Sequence, residues 1–256
     1  METLSTLLFE LANIDRLNIL IELRTNAKKL TNISKELKLT VQETSRHLQR
    51  LCDARLLTKH PDGAYGITAY GEDVLALLPG LEFLTKHREY FVMHSITHLP
   101  KEFLWRIGDL ADSRLLDSPV LAFQWVNTIT EEANEQLHFI ADQVPSGSIP
   151  LIEAAIKRGV KTYFLMPEEI ERPKLPSTYM PHYDTDDRMR MSLGKMESVE
   201  FVGVISERAA VVGFPTIDGA MDYLAFYSEN EAAVCWSRAL FMYFWNRVEP
   251  LHPAPE

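Results

Sequence analysis

One segment predicts the fold of the first third of the chain: LTVQETSRHLQRLCDARLL, residues 39–57. Thr40 can accept a hydrogen bond from a helix N–H, and Glu43 can reach back to the N–H of Thr40, which together make a capping box. A helix that begins there and runs to about Arg55 has one apolar and one polar face. The apolar face carries Thr44, Leu48, Leu51 and Cys52, and the polar face carries Gln42, Arg46, Gln49, Arg50 and Asp53.

Helices precede this segment and a hairpin follows it. Apolar periodicity predicts helices at Thr3–Ala12, Asp15–Arg24 and Asn32–Leu37. The turn sequence Pro61-Asp62-Gly63 joins two predicted strands, Leu56–His60 and Tyr65–Thr68, and a helix over Ala69–Leu77 comes next. This order of elements predicts a winged helix-turn-helix domain over residues 1–80.

The rest of the chain predicts a connecting helix at 81–99 and an α/β domain at 100–250. The connecting helix, Leu81–Leu99, lies after Pro79-Gly80 and packs either in a dimer seam or in the chain's own core. Two parallel strands joined by a helix are predicted next, with a right-handed crossover. The strands are Gln136–Ala141 and Val160–Met166, and the helix between them is Ile149–Arg158. The remaining predictions are helices at Glu102–Leu110, Val126–Asn134 and Ala232–Arg247, strands at Val199–Ser206, Ala209–Phe214 and Met221–Tyr227, and a loop at Glu168–Asp187.

The composition is that of an ordinary globular protein, with 46% hydrophobic and 24% charged residues in a chain of 256. The longest uncharged stretch, Ser118–Thr130, is shorter than the roughly 20 apolar residues of a spanning helix, so no membrane partner is expected. The first residues lack a basic lead and a cleavage site, which predicts no signal peptide. Two cysteines, Cys52 and Cys235, are too few for a disulfide framework or a zinc site. We expect a cytoplasmic protein without a metal or cofactor.

The charge is unevenly distributed. The formal net charge is −10, but residues 1–90 hold 12 basic and 12 acidic residues, so the whole excess lies in the second part. Within Arg16–His60 there are ten basic and four acidic residues. A basic patch followed by an acidic body is typical of a phosphate-binding head joined to a regulatory domain, although a solvated charged surface has the same composition.

The helix that begins at Thr40 is therefore predicted to enter the DNA major groove. Glutamine suits adenine, arginine suits guanine and glutamate accepts from cytosine. Basic side chains nearby would neutralise phosphates, and the hairpin would touch the backbone or minor groove. The predicted DNA-binding residues are Lys35, Lys38, Thr40, Gln42, Glu43, Thr44, Arg46, His47, Arg50, Lys59, His60 and Tyr65, together with Lys28 and Lys29 as phosphate contacts.

These residues resemble a known signature. The run Ser45-Arg46-His47-Leu48-Gln49-Arg50-Leu51, preceded by Leu39-Thr40 and followed by Ala54-Arg55-Leu56-Leu57, looks like that of ArsR-like winged-helix repressors. Arg55 stands where that family usually has glycine, so the turn after the helix should be either more strained or differently shaped. The metal-sensing members carry paired cysteines before the helix-turn-helix, and Arg24–Ser34 has none.

The second half resembles the C-terminal domain of archaeal methanogenesis-regulatory (FilR-like) proteins. The resemblance is carried by Val202–Glu207, Gly213-Phe214-Pro215, Asp218–Tyr223, Cys235-Trp236 through Phe244-Trp245, and upstream by His94-Ser95-Ile96, Leu99-Pro100 and Arg106-Ile107-Gly108. It implies an archaeal transcription regulator of methanogenesis or methyltransferase genes. Such domains look distantly like phospholipase D modules, which use a histidine two residues before a lysine. None of the eight histidines has that spacing, so we expect no enzyme.

A small-ligand site is predicted beyond the carboxyl ends of the second domain's strands. Its candidate residues are Arg188, Arg190, Glu207, Arg208, Asp222 and Tyr223. Arg188 and Arg190 could clamp an anion, and the alternative is a charge cluster that satisfies itself.

The predicted function is thus a homodimeric transcription regulator that binds double-stranded DNA. Its second domain either senses a small-molecule effector or mediates dimerisation. Two alternatives stay open: a protein–protein adaptor that uses a winged helix as a contact surface, and a phospholipase-D-like phosphodiesterase.

Overall fold

The structure is a computed structural model that describes residues 3–143, 146–167, 191–196 and 199–248. Within these residues the chain is mixed α/β, which confirms the predicted class at that level. The chain forms two compact units, Met1–Pro79 and Gly80–Glu256. Among the residues described, no helix has the length and apolar character needed to cross a lipid bilayer.

The first unit packs helices against a small sheet. Its helices are α1 (Leu4–Leu11), α2 (Ile14–Leu23), α3 (Leu30–Glu36), α4 (Val41–Asp53) and the first part of α5 (Ala69–Lys86). Its strands are β1 (Lys28–Lys29), β2 (Leu57–Lys59) and β3 (Ala64–Ile67), antiparallel in the order β1-β3-β2. The core side chains that are almost fully buried are Ile19, Leu20, Leu23, Ile33, Leu48, Leu51, Leu56 and Leu57.

The turns of this unit have the geometry that their residues favour, with one exception. Gly63 has a φ of 84° in the hairpin turn, where glycine carries no steric penalty. Arg55 has a φ of 58°, in the left-handed region, at the end of α4. The Leu56 N–H donates to the Leu51 carbonyl and the Arg55 N–H to the Cys52 carbonyl, both at 2.9 Å, which is a Schellman motif. The strain predicted for the arginine at this position is therefore present.

The second unit contains a seven-stranded sheet in its described part. The strands are β4 (Arg114–Leu116), β5 (Gln136–Ile140), β6 (Lys161–Pro167), β7 (Met191–Met196), β8 (Val202–Ile205), β9 (Ala210–Gly213) and β10 (Ala225–Ser228). Their order is β4-β10-β9-β8-β5-β6-β7. Strands β5, β6 and β7 are parallel neighbours, as predicted for β5 and β6, and the other pairs are antiparallel.

Helices cover both faces of this sheet. They are α6 (Arg88–Met93), α7 (Lys101–Trp105), α8 (Pro119–Glu132), α9 (Ile149–Lys157) and α10 (Glu231–Trp245), with 3-10 helices at Ile107–Leu110 and Ser146–Ser148. Neighbouring strand residues point to opposite faces. Accordingly Val204 and Val211 belong to the core beneath α8 and α9, whereas Ile205 and Val212 belong to the core that contains α10.

Several element boundaries differ from the predicted ones. Helix α5 continues through Pro79 to Lys86, and α6 ends at Met93, so the predicted helix Leu81–Leu99 is wrong. The proline is tolerated because later side chains of α5, such as Phe83, are fully buried in a core. Helix α8 begins at Pro119 rather than at Val126, since proline fits the first turn of a helix. The predicted loop Glu168–Asp187 lies outside the described residues.

Replacing Arg55 by glycine should stabilise the protein. Relief of the left-handed conformation outweighs the extra chain entropy of glycine in the unfolded state, for a net gain of about 0.5–1 kcal/mol. Arg24 is the matched control, because it caps α2 with an ordinary φ of −62° and its replacement by glycine should destabilise. Urea unfolding of both variants measures this, and equal losses would contradict the strained turn.

The buried His138 predicts a pH dependence of stability. It lies on β5, 2% exposed, with its ring stacked on Tyr163 at 4.9 Å, and burial lowers its pKa to about 4. The unfolded state binds a proton near pH 6.5 and the folded state does not, so stability is lost as the pH falls from 6.5 towards 4. At pH 5 the loss is about 2 kcal/mol.

The variant His138→Phe tests this cause, because phenylalanine keeps the aromatic contacts and cannot titrate. Its free energy of unfolding should fall less steeply between pH 7 and 5 than that of the wild type. Parallel curves for the two proteins would show that another group is responsible.

Candidate nucleic-acid interface

Helices α3 and α4 are joined by a short turn that is fixed from both sides. The Ser34 hydroxyl donates to the Leu39 carbonyl at 2.7 Å, and the Leu39 N–H donates to the Ser34 carbonyl at 3.0 Å. Lys38 turns the chain with a φ of 56°. The end of α3 and the start of α4 are therefore held in one geometry by local hydrogen bonds.

The predicted capping box is confirmed at the start of α4. The Glu43 N–H donates to the Thr40 hydroxyl oxygen at 3.2 Å, and the Glu43 carboxylate accepts from the Thr40 N–H at 3.0 Å and hydroxyl at 2.7 Å. Donation by the Thr40 hydroxyl and backbone holds the pKa of Glu43 below its usual range. Both side chains are thus engaged in starting the helix, and because both are exposed their contact with DNA stays a prediction.

The prediction that Thr44 and His47 contact DNA is wrong, because the structure places both side chains in the interior. Thr44 is fully buried and its hydroxyl donates to the Thr40 carbonyl at 2.9 Å. His47 is buried with Nε2 3.8 Å from an Asp15 carboxylate oxygen, and burial lowers its pKa. The spacing of Thr44, His47, Leu48 and Leu51 already marks the inward face of a helix, so periodicity could have excluded these two residues.

Arg50 is held by a carboxylate that the sequence analysis did not single out. The carboxylate of Glu10, at the end of α1, accepts from the Arg50 Nε at 3.0 Å, and it forms an ion pair with Arg16, whose Nε lies 3.1 Å away. The side chains of Glu10 and Arg16 are each only 8% exposed, and Arg16 also donates to the Glu10 and Phe9 carbonyls. Arg50 is therefore a structural link between α4 and α1, which corrects its assignment as a phosphate contact.

Gln42 and Arg46 remain on the outside of α4. Both are exposed, and among the described residues neither has a side-chain hydrogen bond or ion pair. We call these two residues the outer face of α4. Lys35 on α3 and Lys38 in the turn are exposed in the same helix pair, whereas Lys28 is bound by Glu22 and Glu36 and is not free for a phosphate.

The hairpin carries the other predicted contacts. Lys59 and His60 are exposed, and the Lys59 ammonium lies 5.5 Å from the centre of the Tyr65 ring. His60 closes the turn, since its N–H donates to the Ala64 carbonyl at 2.7 Å. Tyr65 is half-buried beneath the lysine, so it supports Lys59 from below.

In the second unit the predicted ligand residues do not form one site. Glu207 and Arg208 follow β8, at the end of the sheet where β5 begins, whereas Asp222 and Tyr223 precede β10, at the end where β5 finishes. Arg188 and Arg190 lie outside the described residues. The prediction that these six residues form a single ligand pocket is therefore wrong.

Glu207 has a structural role. Its carboxylate accepts from the N–H groups of Asn134 at 3.0 Å and Glu135 at 3.4 Å, which fixes the chain that enters β5. Burial would raise the pKa of Glu207, but these backbone donors outweigh burial and lower it. Arg208 is exposed beside it.

Asp222 and Tyr223 bind partners in different directions. The Asp222 carboxylate lies 3.0 Å from His94 Nε2, and His94 Nδ1 lies 2.8 Å from the Tyr90 carbonyl. The Tyr223 hydroxyl donates to the Asp142 carboxylate at 2.8 Å and accepts from the Gln143 amide. Across the described residues, no group of three or more His, Cys, Asp and Glu side chains could hold a metal ion.

No family model and no curated protein sequence matches this chain. Among solved structures, TrmBL2, an archaeal chromatin protein with a novel mode of DNA binding, has a TM-score of 0.45 and 12% identity over 93% of this chain and 94% of its own. Nuc from Salmonella typhimurium, a phospholipase D family member, has a TM-score of 0.38 and 14% identity over 51% and 91%. The O-methyltransferase NcsB1 of neocarzinostatin biosynthesis has a TM-score of 0.28 and 13% identity over 76% and 65%.

These matches correct one prediction and leave another as it was. The expectation that the chain is not an enzyme is contradicted. The matched structures include O-methyltransferases and a phospholipase D family member, which are enzymes. The resemblances to ArsR-like and FilR-like regulators stay predictions.

Replacing Glu10 by glutamine should destabilise the first unit by about 3 kcal/mol, because it leaves the buried Arg16 charge without its carboxylate. The matched control is Glu36→Gln, which breaks an exposed ion pair with Lys28 and should leave the urea midpoint almost unchanged. Chemical denaturation measures both variants. Similar small effects would show that the buried network contributes little.

Proposed function

We propose that residues 1–79 form a winged helix-turn-helix that binds double-stranded DNA, and that the chain is a transcription regulator acting as a cytoplasmic homodimer. The observation that carries the proposal is the outer face of α4. Gln42 and Arg46 are exposed one turn apart near the start of α4, and among the described residues neither side chain has a hydrogen bond or ion pair, whereas Glu43, Thr44 and Arg50 of the same helix are bonded within the unit.

The two side chains suit base recognition. A helix fits into the major groove, and residues near its N-terminus reach base edges. Glutamine can bind adenine through two hydrogen bonds and arginine can bind guanine in the same way. Thr40 and Glu43 fix the first turn of α4, so Gln42 and Arg46 are presented without further ordering of the backbone.

Nearby lysines supply affinity that does not depend on sequence. Lys35, Lys38 and Lys59 are exposed, and lysine binds phosphate as a point charge. Each phosphate contact releases counterions, so binding should weaken steeply as salt rises. The second part of the chain carries the whole net charge of −10. Because it is acidic, it would not bind the DNA phosphates that these lysines contact.

The second unit supplies regulation in this proposal. An effector bound there would change the spacing of two α4 helices in a dimer, which must dock about one helical turn apart on DNA. The resemblance to FilR-like proteins supports archaeal methanogenesis or methyltransferase genes as targets. The likeness to TrmBL2 is too distant to add to this argument.

DNA selection from a random library, followed by binding titrations, tests the proposal. Gln42→Ala and Arg46→Ala should each weaken binding to the selected sequence by about 1–3 kcal/mol and relax the preferred base. Lys35→Ala should instead weaken binding to all sequences alike and reduce the salt slope by about one.

The matched control is Arg24→Ala, which removes an exposed arginine that is paired with Glu72 on the same unit. It should retain wild-type sequence preference. If no sequence is enriched and binding does not depend on salt, the winged helix is a protein-contact surface and the proposal fails.

A further inference from the structure

A small apolar cavity lies within the second unit, between α8, α9 and the sheet. Its volume is about 70 Å³. Among the described residues that line it, the inner wall is made by Ala122, Val126, Phe139, Ile152, Val204 and Val211. One water molecule needs about 10–15 Å³, and benzene binds in a cavity of about 150 Å³, so this space suits a group of about four carbon atoms.

Two of the residues that line the cavity, Tyr223 and Gln143, carry polar groups. The Tyr223 ring lies 5.4 Å from that of Phe123, which also lines the cavity. Burial and the neighbouring Asp142 raise the pKa of Tyr223 to about 12, so its hydroxyl keeps donating to that carboxylate. Among the described residues that line the cavity, none is lysine or arginine.

Tyr223 adopts a backbone conformation that is unusual for an aromatic residue. Its φ is 62°, in the left-handed region, which is a genuine outlier for a bulky side chain. Such strain persists only where surrounding contacts enforce it, and it is frequent at ligand clamps. Here the contacts to Asp142, Gln143 and Phe123 hold the ring in the cavity lining.

We propose that this cavity binds a small molecule with a short alkyl chain and a neutral or cationic hydrogen-bond-donating head, such as an alcohol or an amine. The chain would fill the space beside Ala122 and Val126, and the head would take the place of the Tyr223 hydroxyl as a hydrogen-bond donor to the Asp142 carboxylate. A carboxylate ligand would be repelled by Asp142, which is bonded to the lining residue Tyr223, and would meet no basic side chain among the described lining residues. The ligand class therefore differs from the anion predicted for Arg188 and Arg190.

The same segment connects the cavity to α6. Asp222, next to Tyr223, is paired with the buried His94, which follows α6 and lies with its ring stacked on Tyr90 at 3.7 Å. A ligand that displaces Tyr223 would move Asp222 and thereby His94. This regulatory role rests on the proposed function, whereas the binding site does not.

Filling the cavity tests whether the space exists. In the full chain, Ala122→Leu should maintain or raise the urea midpoint, because the added carbon atoms occupy empty apolar space. The matched control is Ala155→Leu, in the same core but not in the cavity lining, which should lower the midpoint by overpacking. An equal loss in both variants would overturn the proposal.

Binding is tested directly by saturation-transfer NMR on the full chain with n-butylamine, n-butanol and butyrate. The amine and the alcohol should bind the wild type, and their affinity should fall by about tenfold or more in Ala122→Leu because the space is taken. Butyrate should show no transfer. Equal binding of butyrate, or unchanged binding to Ala122→Leu, would overturn the proposal.

The same ligands are then added to the DNA titration. A change in DNA affinity with the amine that is absent in Ala122→Leu supports the regulatory role. Binding of the amine without any DNA binding by the protein would overturn the proposed function and leave the ligand site standing. DNA binding that ignores a bound amine would overturn the regulatory role alone.

Discussion

The reciprocal hydrogen bonding of Thr40 and Glu43 fixes the residue at which α4 begins, and the rest of the first unit depends on that position. A helix repeats every 3.6 residues, so its starting residue sets which side chains face inward. With the start at Val41, Leu48 and Leu51 enter the core, together with Thr44 and His47. The same phase leaves the outer face of α4 in solvent. A shift of one residue would rotate it by about 100° and bury the proposed base contacts.

The second constraint is the carboxylate of Glu10, which links α1 to α2 and to α4. It binds the buried Arg16 of α2 and the half-buried Arg50 of α4. An ion pair of this kind is weak evidence for net stability, but removal of one partner is costly because a buried charge is left alone. This network therefore holds α4 in place on the unit. It also explains why an arginine on the polar side of the helix is not available to DNA.

Local chemistry in the sequence predicted local features well, and contacts between distant residues were not predictable from it. The capping box, the Asp62-Gly63 turn and the strained Arg55 each depend on a few neighbouring residues, and each is present. Arg50, which binds Glu10, lies 40 residues from it, and the N–H groups that bind Glu207 lie more than 70 residues away in the chain, so no spacing rule indicates these contacts. Strand β4 likewise exists through its pairing with β10. The predicted ligand site failed for the same reason, because the sequence alone did not show which ends of antiparallel strands meet.

The central claim is that the outer face of α4 lies against the base edges of DNA. Ser45 is exposed on α4 beside Arg46, so a chelated iron attached to Ser45→Cys, with Cys52 and Cys235 replaced by alanine and serine, can report its position. Hydroxyl radicals generated there should cut the selected DNA within a few bases of the recognised sequence, on both strands across one major groove. Cleavage no greater than that by free reagent, with the DNA still bound, would contradict the account.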